Sequence, residues 1–208
     1  MSDKQPGRRQ PFSRVAAPGR SGSRRGPAGV FAEPLDGRAV VMLIGRASDE
    51  AVSASLRQTL ACELPTRPVV SAGDAVSVLW AGPGRWLIVS DAEQSGEALL
   101  ERLAGVAEQK ASLLDQSDGL ALLRLSGPNV RDALAKGLPI DLHPRAFSTG
   151  DTAITAIAHV TAQIWQTSDA PVFELAVARS FAASFWNWLE HAAAEYGLET
   201  VAPRGVAG

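Results

Sequence analysis

The strongest constraint on this sequence is that its body is written twice. AVVMLIG (39–45) is a short β-branched apolar run bounded by glycine, and DEAVSASLRQTLACEL (49–64) follows with Val52, Leu56, Leu60 and Leu64 at four-residue spacing. The first pattern predicts a buried strand and the second a helix with one apolar face. Ser48 stands before Asp49 and Glu50 as an N-cap, with acids where the helix dipole favours them. AVSVLWAG (75–82) and RWLIVS (85–90), joined by Pro83-Gly84, predict paired strands, and EQSGEALLERLAGVAEQ (93–109) predicts a second helix. The same order returns as LALLRLSG (120–127), NVRDALAKG (129–137), VTAQIWQT (160–167), VFELAVA (172–178) and SFAASFWNWLEHAAAEYG (180–197). Gly45 matches Gly127, Trp80 matches Trp165, Trp86 matches Phe173, and Leu99-Leu100 fall opposite Phe185-Trp186, a repeat of about 82 to 87 residues.

Such a chain is expected to be α+β, two ferredoxin-like β-α-β-β-α units related by internal duplication and sharing one core. At 208 residues, with 46% apolar and 20% charged residues, it has the composition of an ordinary globular protein. The expected organisation is a flexible Arg/Gly/Pro/Ser-rich tail over 1–28, one α+β domain over 29–200 with halves at about 35–110 and 115–197, and a flexible C-terminus over 201–208. Charge marks the first boundary. Residues 1–28 carry seven basic residues and one acid, whereas the remaining 180 carry 13 basic and 21 acidic. The tail has few large apolar side chains with which to offset the entropy of ordering.

The tail's Arg8-Arg9 pair lacks the apolar stretch that an export signal needs, so a twin-arginine leader is not expected. The acidic body shows no aromatic platform interleaved with lysines, which argues against nucleic acid. The longest apolar run, Ala39 to Ile44, is far below the roughly 20 residues of a spanning helix. One cysteine, Cys62, excludes an intramolecular disulfide and suits a reducing compartment, so the expected location is cytoplasmic.

Motifs for chemistry are sparse. His143, His159 and His191 are not at metal-ligand spacing, and Cys62 ends an apolar helix face where a free thiol serves as a small buried hydrophobe. Gly19-Arg20-Ser21-Gly22-Ser23 breaks the pattern of a hydrolase nucleophile turn, and Gly82-Pro83-Gly84 joins two strands, not the strand and helix of a dinucleotide site. In the last helix Phe181, Phe185, Trp188 and Ala192 fall on one expected core face; Trp165 and Trp186 are read either as core or as exposed anchors of a protein interface. Asp141, His143 and Arg145 alternate in the DLHPR run. They either present a charged surface to a partner, or close the loop by Asp141–Arg145 pairing with His143 capping a backbone carbonyl.

DQSDGLALLRLSGPNVRDALAKGLPIDLHPRAF (115–147), with WAGPGRWLIVS and RSFAASFWNWLEHA, closely resembles the gamma subunit of heterotetrameric sarcosine oxidase, and the resemblance spans about residues 35 to 197. It implies a fold like the folate-binding domain of the glycine-cleavage aminomethyltransferase. It also implies a non-catalytic role beside alpha, beta and delta subunits, with FAD, FMN, NAD, zinc and tetrahydrofolate carried on those other subunits and none on this chain. The complex would demethylate sarcosine oxidatively. The corresponding subunit of N-methylglutamate dehydrogenase, and an autonomous folate-binding one-carbon-transfer protein of this fold, are the alternative readings. His143, Arg145, Trp165 and Trp186 are the candidate contacts with neighbouring subunits; no catalytic, cofactor or metal residue is assigned.

Overall fold

The computed structural model describes residues 11–92, 95–108 and 110–202. Expectations for residues 1–10 and 203–208, and for Glu93, Gln94 and Gln109 at the margins of the second helix, lie outside the described residues. Two sheets are stacked face to face, each with helices on its outer side. The smaller sheet comprises β3 (Ala39–Gly45), β4 (Val70–Gly73), β5 (Val76–Trp80), β6 (Arg85–Ser90) and β7 (Ala111–Asp115) in the order β4-β5-β6-β3-β7. It is covered by α1 (Asp49–Leu60), α2 (Gly96–Arg102) and α3 (Ala104–Ala107). The larger sheet comprises β1 (Gly19–Ser21), β2 (Val30–Pro34), β8 (Leu120–Ser126), β9 (Thr152–Ile157), β10 (Val160–Ser168), β11 (Val172–Ala178) and β12 (Leu198–Thr200), in the order β1-β12-β2-β8-β11-β10-β9. Helices α4 (Val130–Ala135) and α5 (Ala182–Ala193) cover it.

The period-two alternation of strand side chains explains why these strands read as continuous apolar runs. In β3, Ala39, Val41 and Leu43 pack under the helices, while Val40 and Met42 turn towards the other sheet. In β8, Leu123 and Leu125 go to the helix side and Leu120 and Leu122 to the sheet interface. Each half thus has its own helix-on-sheet core, and a third core of Val40, Leu79, Leu87, Val89, Leu122, Trp165 and Ala176 joins them.

Helix α1 forms as expected at its start, where the Ser48 hydroxyl accepts from the Ala51 amide, and its buried face is Val52, Leu56 and Leu60. It ends before Leu64, because Ala61 enters the left-handed region at φ 53°. The second predicted helix is split at Leu103, yet Leu99, Leu103 and Val106 remain buried on one side. In α5 the buried residues are Ala182, Phe185, Trp186, Leu189, Ala192 and Ala193, which include Phe185 and Ala192 of the expected face. Phe181 lies in the preceding 3-10 turn and is 50% exposed, and Trp188 is half-buried; the core face is rotated from the expected one.

The duplication is present, with one shift of register. Trp86 pairs with Trp80 across β6 and β5, whereas Phe173, the counterpart of Trp86, pairs with Gln166 across β11 and β10. Trp80 therefore corresponds to Gln166, not Trp165. The one-residue slip puts the two tryptophans on opposite faces, Trp80 under the helices and Trp165 between the sheets.

The second departure concerns the N-terminal segment. In the smaller sheet β7 lies beside β3 as the closing strand, but in the larger sheet the equivalent place beside β8 is filled by β2, antiparallel to it, with β12 outside and parallel to β2. Residues 11–28 of the expected tail, those that are described, are packed on the larger sheet's half of the molecule. Phe12 is 1% exposed and meets Phe185 and Trp186 at centroid distances of 6.2 and 6.4 Å, and β1 pairs with β12. A single well-placed aromatic and a backbone ladder overcome a composition that argues for disorder. Gly22 and Gly29 permit the close approach, since a Cβ there would fall 2.5 Å from the Ala194 carbonyl oxygen and from Asn129 Oδ1 respectively. Phe12→Ala should lower stability by about 3 kcal/mol, read from the urea midpoint of unfolding; a silent substitution would mean that the segment does not dock.

Candidate functional site

Polar side chains at the sheet interface form the most organised constellation in the molecule. Across the larger sheet, Glu33, Arg124, Glu174, Trp165 and Thr152 are successive register partners on β2, β8, β11, β10 and β9. Arg124 gives Nε and Nη2 to Glu174 Oε1 at 3.0 and 2.6 Å and Nη1 to Glu33 Oε2 at 3.3 Å. Arg38, from the turn before β3, gives Nη1 to the other Glu174 oxygen at 2.8 Å and Nε to Asp91 at 2.7 Å. Burial works against the charge of Arg124, but Glu174 and Glu33 outweigh it and raise its pKa above the ordinary guanidinium value. Nearby, Gln163 Nε2 donates to the Trp80 carbonyl at 3.1 Å, a direct bond from the larger sheet to the smaller.

A cleft of about 410 Å³ opens beside this network, lined by Phe31, Glu33, Arg124, Ser126, Thr167 and Val172. Its guanidinium is neutralised by two carboxylates, and those carboxylates are committed to arginines. The groups lining it therefore supply neither an uncommitted cation for an anion nor a nucleophile with an adjacent base. What the arrangement does chemically is lock the register of β2, β8 and β11 and fasten Arg38 to the opposing sheet. Sequence reasoning missed these residues, although a signal existed: Arg124 in LALLRLS and Glu174 in VFELAVA are lone charges inside otherwise apolar strands.

The four expected contact residues separate into two groups. Trp165 is 1% exposed between the sheets and Trp186 is 4% exposed against Phe12, so both belong to the interior of this chain and neither offers a surface anchor. His143 and Arg145 are exposed. Their loop is held from behind by Leu142 and Phe147, both buried, and by Arg131 of α4, which donates to the Leu142 carbonyl and to Gln166 Oε1 and lies 5.0 Å over the Phe173 ring. Burial lowers the Arg131 pKa. Within the loop, Asp141 accepts from the His143 amide at 2.8 Å and His143 Nδ1 accepts from the Arg145 amide at 3.2 Å. The expected Asp141–Arg145 pairing is thus replaced by local turn bonds, and the imidazole receives a backbone N–H instead of capping a carbonyl.

The three histidines lie on different elements: His143 in this loop, His159 at the β9–β10 tip and His191 on α5. Among the described residues no group of three or more His, Cys, Asp or Glu side chains is arranged to hold a metal ion, and no helix is long and apolar enough to cross a membrane. Cys62 is buried in the core beneath α1, and burial pushes its thiol pKa up.

The stacked two-unit α+β architecture defines the class. It is shared with the glycine cleavage system aminomethyltransferase T of Bartonella henselae, at a TM-score of 0.57 and 14% identity over 84% of this chain and 48% of that one. It is closer to a chain of the heterotetrameric sarcosine oxidase of Corynebacterium sp. U-96, crystallised with pyrrole 2-carboxylate, at a TM-score of 0.78 and 24% identity over 91% and 96% of the two chains. In sequence, the sarcosine oxidase gamma subunits of Corynebacterium sp. strain P-1 and of an Arthrobacter species are 33% and 32% identical over 151 residues, covering 72% of this chain and 73% of each relative. Residues 44–195 match the family described as sarcosine oxidase, gamma subunit, and the chain belongs to that family.

Two measurements test the site. Replacing Glu174 by Leu leaves two guanidinium groups facing each other in the interface and should cost about 3–5 kcal/mol of stability in urea denaturation. Cys62 should resist a small disulfide reagent at neutral pH until denaturant is added, since its thiolate is disfavoured and covered in the folded chain.

Proposed function

We propose that this chain is the gamma subunit of a heterotetrameric sarcosine oxidase, a structural component that contributes no catalytic group. The observation that carries the reading is the family match over residues 44–195, joined to the fold likeness over 91% of the chain. Its partners are then the alpha, beta and delta subunits in the cytoplasm. The assembly oxidises sarcosine to glycine, passes the one-carbon unit to tetrahydrofolate or releases it as formaldehyde, and forms hydrogen peroxide. FAD, FMN, NAD, zinc and tetrahydrofolate reside on the partners. This chain's own donors do not fit these groups: its one thiol is buried, its histidines stand apart, and Arg124 is already neutralised by Glu33 and Glu174. His143 and Arg145, exposed on a loop pinned by Arg131, form part of a subunit contact.

Co-expression with the other subunits decides the matter. The expected outcome is a co-purifying complex with flavin absorbance and turnover of sarcosine in preference to N-methylglutamate. Saturable tetrahydrofolate binding by the isolated chain would instead support an autonomous one-carbon role, the reading favoured by the fold shared with aminomethyltransferase T. Arg145→Ala should weaken assembly about fivefold, as for a contact worth about 1 kcal/mol, with turnover per assembled complex unchanged.

A further inference from the structure

Loops guard the outer strand of the larger sheet only at its two ends, where Pro68 accepts from the Thr152 amide and Gly137 from the Ala158 amide. Strand β9, TAITAI, carries no charge, no proline and no bulge, whereas exposed edges of monomeric proteins are ordinarily blunted by such devices. Its neighbours explain which of its backbone groups face outward. Strands β9 and β10 are joined by the two residues Ala158 and His159, at φ 47° and 71°, the primed turn of a tight hairpin, so Ile157 and Val160 form a hydrogen-bonded pair. Thr155 and Ala153 then also point their backbone groups at β10, while Thr152, Ile154 and Ala156 point theirs away. The phase is independently fixed by Thr152, whose amide donates outward to the Pro68 carbonyl at 3.2 Å. Beyond it, the N–H and C=O groups of Ile154 and Ala156 bond to no described residue, and both side chains are exposed, Ile154 at 49%.

A second cleft, of about 430 Å³, lies directly beside this edge. Ala156, Gly137, Pro139, His159 and Trp188 line it, together with Lys136. Gly137 lets the indole lie against the backbone, since a Cβ there would be 2.6 Å from Trp188 Cζ2. The Lys136 ammonium is turned to the Ala192 carbonyl at 2.6 Å, to the Glu195 carboxylate and to the Tyr196 ring. The cleft therefore presents mainly indole and pyrrolidine surface, suited to a bulky apolar side chain. A row of outward amides and carbonyls with a side-chain pocket alongside is the arrangement by which sheet edges accept an added strand.

We propose that β9 receives a short extended segment of another subunit of the oxidase, which adds a strand at Ile154 and Ala156 and lodges one bulky apolar side chain in the Trp188 cleft. This inference rests on the gamma-subunit reading above. Geometry argues against a second copy of this chain as the occupant. An antiparallel copy using the outward groups of both Ile154 and Ala156 would set Ile154 of one chain opposite Ala156 of the other. The copy's Ala158–His159 tip would then fall where Pro68 already bonds Thr152. A slender segment confined to Ile154 and Ala156, between the Pro68 carbonyl that accepts from the Thr152 amide and the Gly137 carbonyl that accepts from the Ala158 amide at 3.0 Å, meets no such obstacle.

Residue-resolved amide exchange on the lone chain and on the co-purified oxidase tests this. Ile154 and Ala156 amides should exchange about a hundredfold more slowly in the complex. Ala156→Pro deletes an outward donor that the chain itself does not use; it should leave the lone chain's unfolding midpoint unchanged and cut the yield of complex about tenfold. Equal exchange of the two amides in an assembled complex overturns the proposal while sparing the subunit reading, and so does an Ala156→Pro chain that assembles at full yield. A lone chain that sediments as a dimer with these amides protected overturns it in favour of self-pairing. A wild-type chain that fails to co-purify overturns both. If Ala156→Pro lowers the midpoint, the wild-type exchange comparison decides alone.

Discussion

Glu174 is the side chain on which the arrangement of the two halves depends. One of its oxygens accepts from Arg124 in its own sheet and the other from Arg38, which approaches from the segment that leads into the opposing sheet. An ionised carboxylate at 4% exposure is tolerable only because two guanidinium groups replace the water it has lost. The ion pairs need not contribute net stability, because desolvating Glu33, Arg38, Arg124 and Glu174 offsets much of what the pairing returns. They do select an arrangement, since any sliding of one sheet over the other would strand a buried charge. The apolar contacts of Val40, Leu87, Val89, Leu122 and Trp165 supply attraction without register; the Glu174 pairs supply register.

Much of this was legible in the sequence. The strand cores AVVMLIG, RWLIVS and VFELAVA and the helix cap at Ser48 could be located because dense β-branched runs and capping chemistry are local signals. The strands that escaped notice carry weaker ones. TAITAI and the four-residue VSAG are rich in small residues, VFAEP ends in proline, ASLLD is short and ends in an acid, and GRS and LET are three residues long, so their strand character comes largely from neighbours in the sheet. Trp165 aligns with Trp80 in the sequence because both are tryptophans, but cross-strand pairing makes Gln166 the equivalent position, since Gln166 faces Phe173 as Trp80 faces Trp86. The ion network was legible only as lone charges in apolar strands; which carboxylate meets which guanidinium depends on strand register, a long-range property that one sequence does not display.

The likeness to aminomethyltransferase T concerns the scaffold, and the residues within that scaffold point elsewhere. At the sheet interface the polar groups satisfy one another. Among the described residues, the Asp141–Arg145 loop and the outward backbone of Ile154 and Ala156 on β9 are exposed at the periphery. A chain whose interior chemistry is closed and whose exposed backbone is open is suited to being held by neighbours, in keeping with membership of a subunit family.

The seating of β2 between β8 and β12 reaches beyond architecture. Val30 pairs with Leu198 and Phe31 with Ser126, so the strand made earliest in this sheet, apart from β1, waits for partners that are synthesised much later. The second unit cannot complete its sheet from its own residues, and the first cannot release the segment that precedes it without opening the second. Contacts of such long sequence separation slow folding and make it cooperative across the whole chain. The duplicated halves, which look separable on paper, are stitched by this one strand into a single unit of folding.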